Sequence, residues 1–308
     1  MYKEFFNLKE YPFGLTPDPK FIVFTPSYNE LLASLYYGIE MAKGLIVLTG
    51  EVGTGKSTAL RWIIRRLDSS VLAAYIVNPH LSIEEFYHHI AEMLGITEWS
   101  NKTELLNEMA KLLEDRHRRG LRTVLIVDEA HELPDEVLEE IRLLLNLESD
   151  NAKHLQIILT GQPEFTETLR RPSLRQLKQR IALRCVMPAL ESVNEVKRYI
   201  TERLFIAGSP QPNLFSPYAI DYIFQCSEGI PRLINNLCDN SMIAAYAAGD
   251  QIISRKMVES VAENLDLLPD RDSVLPSDRP VEAVRSARVL TPVGHDELLS
   301  DRSRVSAK

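Results

Sequence analysis

Gly50-Glu51-Val52-Gly53-Thr54-Gly55-Lys56-Ser57 decides how this chain reads. It fits the pattern of a glycine, four free positions, then Gly-Lys-Ser/Thr. Residues 44–49 precede it, an apolar run flanked by glycines that reads as a buried strand, and helical periodicity follows over 57–67. Strand, glycine-rich loop and helix together form a phosphate cradle. Gly50, Gly53 and Gly55 let the backbone turn tightly with its N–H groups pointing inward. The helix N-terminus adds partial positive charge. Lys56 is placed to reach β- and γ-phosphates, and the Ser57 hydroxyl to ligate Mg²⁺. Glu51, Val52, Thr54 and Thr58 complete the expected ATP-binding set.

Working outward, short apolar runs recur at 71–77, 123–127, 155–159 and 181–186, with helical patterns at 82–94, 103–118 and 135–147. Strands of this kind alternating with helices predict an α/β domain with a five-stranded parallel sheet covered on both faces. Residues 124–127 are apolar and end in Asp128-Glu129. Asp128 is expected to hold the Mg²⁺ hydration shell, and Glu129 to polarise an attacking water. Asn78 ends the run 71–77; it could hydrogen-bond Glu129 and restrain it as a switch, or simply make an Asn-Pro turn with Pro79. Asp128-Glu129-Ala130-His131 spells a helicase-like tetrapeptide, but such helicases need two tandem α/β domains and only one fits here. His131 is therefore read as a local loop residue.

After Pro188 the strand signals stop, and helical patterns run over 192–206, 216–225, 231–247 and 254–263. The expected organisation is an irregular, aromatic- and Pro-rich arm (1–30), an α/β domain (31–189), a small all-helical lid (190–266) and a disordered tail (267–308) whose prolines interrupt any apolar face. The arm is expected to lie on a surface, and the first helix to span 29–42.

A net charge of −8 argues against a whole-surface nucleic-acid binder. The three cysteines are odd in number and contain no Cys-x-x-Cys pair, so buried, reduced thiols are expected. No basic segment precedes an apolar stretch at the N-terminus, and the longest apolar runs are strand-sized, so neither a signal peptide nor a transmembrane segment is expected. The expected location is the cytoplasm.

Beyond these readings, Tyr2 with Phe5-Phe6, Pro12-Phe13, Thr16-Pro17-Asp18-Pro19, the phosphate loop, Gly161-Gln162-Pro163-Glu164 and Gln179-Arg180-Ile181 resemble the ExeA-type (general secretion pathway protein A-like) AAA+ ATPases. The resemblance covers roughly residues 1–265. It implies an AAA+ P-loop NTPase that oligomerises, works at the cell envelope and packs its N-terminal arm by the adenine. It also extends the expected location to the periphery of the inner membrane. Secretion-type members continue into a membrane helix; relatives occur beside polysaccharide-export systems, and a transposition-helper branch binds DNA. In AAA+ proteins a polar residue ending the strand at 155–159 senses the γ-phosphate, so Thr160 and Gln162 are both candidates. Gly229-Ile230-Pro231-Arg232 looks like a sensor-2 motif whose arginine reaches the phosphates, as a guanidinium suits. Among Arg170, Arg171, Arg175, Arg180 and Arg184, Arg180 is the best-placed arginine finger for a neighbouring subunit. The two functions implied are an ATPase energising envelope assembly, secretion or polysaccharide export, and a DNA-binding helper of transposition or replication.

Overall fold

The apolar runs become strands because their side chains are needed on two faces at once. The computed structural model describes residues 2–16, 18–77, 81–149, 152–211 and 213–269. The chain opens with one helical turn, α1 (Tyr2–Phe5), and passes a 3-10 turn at Pro19–Phe21 into α2 (Pro26–Glu40). Then come β1 (Leu45–Thr49), α3 (Lys56–Arg66), β2 (Val71–Ile76), α4 (Ile83–Leu94), α5 (Lys102–Arg118), β3 (Arg122–Val127) and α6 (Asp135–Leu144). A hairpin of β4 (Glu148–Ser149) and β5 (Ala152–Lys153) leads to β6 (Gln156–Gly161), α7 (Glu164–Thr168), α8 (Arg175–Arg180) and β7 (Ile181–Val186). Four helices follow: α9 (Val193–Ile206), α10 (Pro217–Ser227), α11 (Pro231–Ala248) and α12 (Arg255–Asn264).

The main sheet has the order β2-β3-β6-β1-β7, with every pairing parallel. Alternate residues of its central strands enter different cores. Leu45, Val47, Leu125, Val127, Ile157 and Leu159 join the residues of α4, α5 and α6. Ile46, Leu48, Val124, Ile126 and Ile158 join those of α2 and α3. A strand buried on both sides keeps no polar alternation, which is why these runs were continuous in the sequence. β1 sits between β6 and β7, so the loop leaving it opens at the point where strand order reverses, the usual ligand crevice of an open parallel sheet.

Side-chain caps set the helix starts. Ser82 and Glu85 form a capping box on α4, and Asn101, Ser192, Ser216 and Ser254 each accept an amide of their own helix. The helix expected at 29–42 begins earlier, at Pro26, because Thr25 caps it through the Tyr28 amide and Pro26 supplies a preset φ. The helix expected to reach 147 stops at Leu144, where the chain turns into the β4–β5 hairpin. Cys185, Cys226 and Cys238 are buried free thiols; burial alone pushes the Cys185 thiol up to about 11.

The N-terminal arm departs furthest from expectation. Much of its apolar surface is buried: Tyr2, Phe6, Leu8, Phe13, Phe21 and Val23 share one core with α9 to α12. A four-helix group this small gains much of its apolar burial from the large rings of the arm. The chain crosses between the sheet and the helical group twice. Val23 lies in the helical core while Phe24 packs on Trp62 of α3, ring centroids 5.6 Å apart. Met187 lies in the sheet core while Leu190 lies in the helical one. At the second crossing the Leu190 amide donates to Gly229 O at 2.9 Å. A Cβ on Gly229 would fall 1.9 Å from Leu190 O, and its φ is +74°, so only glycine fits. All but the first three residues of the segment read as a tail lie outside the described residues, and among the described residues no helix is long and apolar enough to cross a membrane.

Candidate functional site

The loop after β1 meets α3 through Gly55, which adopts φ +102° and has no side chain with which to cap the helix. The first amides of α3 are therefore left for another acceptor. Nothing would crowd a Cβ on Gly55 within 4 Å, so there is room above the loop at this point. The other two glycines are held closely. A Cβ on Gly50 would lie 2.7 Å from Met187 Cβ, and one on Gly53 would lie 2.6 Å from Arg232 Cβ. Lys56, the first residue of α3, is buried, and its ammonium donates to Gly50 O at 2.7 Å and Glu51 O at 3.1 Å. Burial lowers its pKa most; Glu129, Asp128 and Glu51 pull it up, and Arg232 adds repulsion from across the cleft. A cation at a helix N-terminus, with a second cation near it, is arranged for an anion.

Asp128 follows β3 and is buried, yet its carboxylate is saturated with donors. Oδ2 accepts from Ser57 Oγ at 2.7 Å and from the Tyr75 hydroxyl at 2.6 Å. Oδ1 accepts from Thr160 Oγ1 and from the Glu129 amide, the latter at 3.1 Å. Thr160 is wholly buried inside β6 and also accepts from the Glu129 amide at 3.2 Å. Its hydroxyl thus faces the carboxylate, and it is not among the residues lining the cleft.

Glu129 adopts φ +51°, a left-handed conformation uncommon for a side-chain-bearing residue. The turn aims its side chain away from Asp128 and into the cleft, which it lines. Among the described residues, Glu129 Oε2 and His131 Nδ1 are both buried without a hydrogen bond, and they face each other at 3.4 Å. His131 Nε2 lies 3.2 Å from Glu132 Oε1. His131, read from the sequence as a local loop residue, therefore stands against the carboxylate best placed to meet water.

The cleft runs from the loop residues Val52 to Thr58 to the arm, where Gly14 to Thr16 and Phe21 to Val23 line it together with Tyr28. The helical group closes it through Tyr199, Arg203, Arg232 and Asn235. The Arg232 amide donates to Gly53 O at 3.1 Å, so the start of α11 rests directly on the loop. Arg203 is buried, with no carboxylate partner among the described residues. Its guanidinium donates to Pro12 O at 2.7 Å, to Phe21 O at 3.3 Å and to Tyr199 Oη at 2.9 Å, and it lies over the Phe21 ring at 4.9 Å. Tyr199 in turn donates to Asn235 Oδ1 at 3.0 Å.

The structure thus brings together the loop from Gly50 to Thr58, Asp128, Glu129 and Arg232. Arg180 lies outside the cleft lining, held on Asn146 at 2.9 Å and within 3.6 Å of Glu148. Gln162 is half-buried beyond the end of β6 and also off the lining. Asn78 lies outside the described residues. Sequence reading missed Tyr75 and the Arg203–Tyr199–Asn235 chain. A tyrosine in an apolar strand passes for a β-former, and an arginine in an amphipathic helix passes for a solvated one.

Comparison with known proteins agrees with this architecture. The family model described as "AAA domain" matches residues 39–169. General secretion pathway protein A of Aeromonas hydrophila is 42% identical over 257 residues, covering 82% of this chain and 46% of that protein. This chain thus spans about half the length of that relative. ATP-dependent target DNA activator B of Escherichia phage Mu is 24% identical, over 84% of this chain and 78% of its own. Among solved structures, Cdc6p from Pyrobaculum aerophilum superposes with a TM-score of 0.60 at 17% identity, covering 86% of this chain and 71% of its own.

Proposed function

We propose, from the premise that this chain is an AAA+ P-loop protein of the ExeA type, that it couples Mg²⁺-ATP binding and hydrolysis to movement of its helical group. The observation that supports this most is the pairing of an uncapped helix N-terminus carrying Lys56 with two carboxylates of different surroundings. Asp128 is fully hydrogen-bonded, whereas Glu129 keeps an oxygen without a hydrogen bond among the described residues. That difference suits one to a metal's hydration shell and the other to a water. The α3 amides and Lys56 would hold the phosphates, with Lys56 exchanging its loop carbonyls for phosphate oxygens. Ser57 and Asp128 would hold Mg²⁺, which when bound neutralises charge building up on the phosphates. Glu129 takes the proton of the water that attacks the γ-phosphate. Arg232, anchored on Gly53, senses that phosphate and carries its loss to α11.

Steady-state phosphate release tests this. Glu129→Gln should still bind ATP and turn over roughly 10²–10⁴-fold more slowly, because an amide cannot accept the proton. Wild-type turnover in that variant would remove Glu129 from the chemistry.

The pathway reading follows the relative with 42% identity: a cytoplasmic homo-oligomer at the inner membrane, energising envelope assembly, secretion or polysaccharide export through an envelope protein partner. A second reading, an ATP-controlled DNA-binding helper, is favoured by the likeness to a target DNA activator. A salt-dependent shift of duplex DNA that requires ATP would select the second over the first.

A further inference from the structure

We infer that Tyr75 is a positioning residue for the magnesium site: its hydroxyl fixes the Asp128 carboxylate in the orientation that, with Ser57, receives the metal. This rests on the Mg²⁺-ATP reading above.

The argument begins with strand order. β3 lies between β2 and β6, so the residue that follows it can be gripped from both neighbours. Thr160 reaches Asp128 Oδ1 from β6, and Tyr75 reaches Oδ2 at 2.6 Å from β2. Ser57 of α3 supplies a third grip at 2.7 Å, on the same oxygen as Tyr75. Tyr75 pairs in register with Ile126, two residues before Asp128, so the length of a phenol spans the remaining gap along the strand. Among these donors only Ser57 is expected to ligand the metal, so the contact of Tyr75 serves orientation. Its ring packs against the α2–α3 core, which sets the direction of the hydroxyl. A carboxylate that has lost one of two lateral grips must be ordered by the metal itself. Partners of this outer kind typically contribute about 10–100-fold to metal affinity.

Tyr75→Phe keeps the ring and removes only the donor. Calorimetric titration of Mg²⁺ into the full chain with ADP should show about tenfold weaker Mg²⁺ binding. ADP binding in EDTA and the melting temperature should match wild type. In an Asp128→Ala background, the same Tyr75→Phe change should cost Mg²⁺ binding nothing further. An unchanged Mg²⁺ affinity overturns the inference. So does an equal loss of ADP binding without metal, which would assign Tyr75 to the shape of the loop, or a further Mg²⁺ loss in the Asp128→Ala background. A wild-type chain that binds neither ADP nor Mg²⁺ with ADP would instead overturn the nucleotide reading on which the inference stands.

Discussion

Replacing Arg203 with methionine should destabilise the chain by cutting the ties between α9 and the arm. Methionine keeps the apolar stem but withdraws the donors that meet Pro12 O at 2.7 Å, Phe21 O at 3.3 Å and Tyr199 Oη at 2.9 Å. Each buried acceptor left without a partner costs about 1–3 kcal/mol. The stacking over Phe21 at 4.9 Å is lost as well, for about another 1 kcal/mol. Against this, an arginine buried with no carboxylate bears a desolvation cost that methionine does not, which cancels part of the loss. The net expectation is about 3 kcal/mol, or a fall in melting temperature of roughly 6–12 °C for a chain of this size. Lysine should fall between arginine and methionine, since one ammonium cannot span the acceptors that a planar fork reaches. Differential scanning calorimetry gives the midpoint, and limited trypsin digestion gives the site: cleavage at Lys9 and Lys20 should accelerate before the rest of the chain is cut. A methionine variant that melts within about a degree of wild type would refute the view that this guanidinium holds the arm.

Gly53→Ala places a Cβ 2.6 Å from Arg232 Cβ at a φ of +84°. Beyond a backbone penalty of about 1–2 kcal/mol, it should push α11 off the loop and weaken nucleotide binding at least about tenfold, one decade being about 1.4 kcal/mol. Fluorescent-nucleotide titration checks this, and unchanged affinity would show that the Arg232–Gly53 contact is dispensable. Arg180 lies off its own cleft, so if it acts on nucleotide it does so in a neighbour. Arg180→Ala should keep nucleotide binding and lose about 10³–10⁵-fold in turnover, and mixing it with Lys56→Ala should restore part of the phosphate release. A fully active Arg180→Ala variant, or a mixture with no rescue, would remove it from the role.

What was legible in the sequence follows from how local each constraint is. The phosphate loop depends on glycine dihedrals and one lysine within eight positions, so it could be read directly. The strands could be read because burial on two faces removes every polar interruption from runs such as 45–49. The β4–β5 hairpin could not, since strands of two residues have no period to detect. Which surface the arm covers could not be read, because aromatic and proline residues without periodicity do not show what they pack on. Their burial depends on Arg203 and on Asp239, which bonds Tyr2 from α11, far away in sequence. Thr160 was legible as a polar strand end, but its orientation toward Asp128 depends on β6 lying next to β3.

The double crossing between sheet and helical group constrains motion as two pins constrain a door. A body tethered at one point can swivel about three axes; tethered at two, it can turn only about the line through both. Here the tethers are Val23 to Phe24 and Met187 to Leu190. In the proposed ATPase cycle the arm would therefore travel with the helices, and two tethers would leave that leaf one principal degree of freedom. The contact of Arg232 with Gly53 is the latch on its free edge. Under that reading, an event at the phosphate loop that shifted the latch would swing the leaf one way or the other, and a small displacement at the loop would become a directed stroke at the far end of α11.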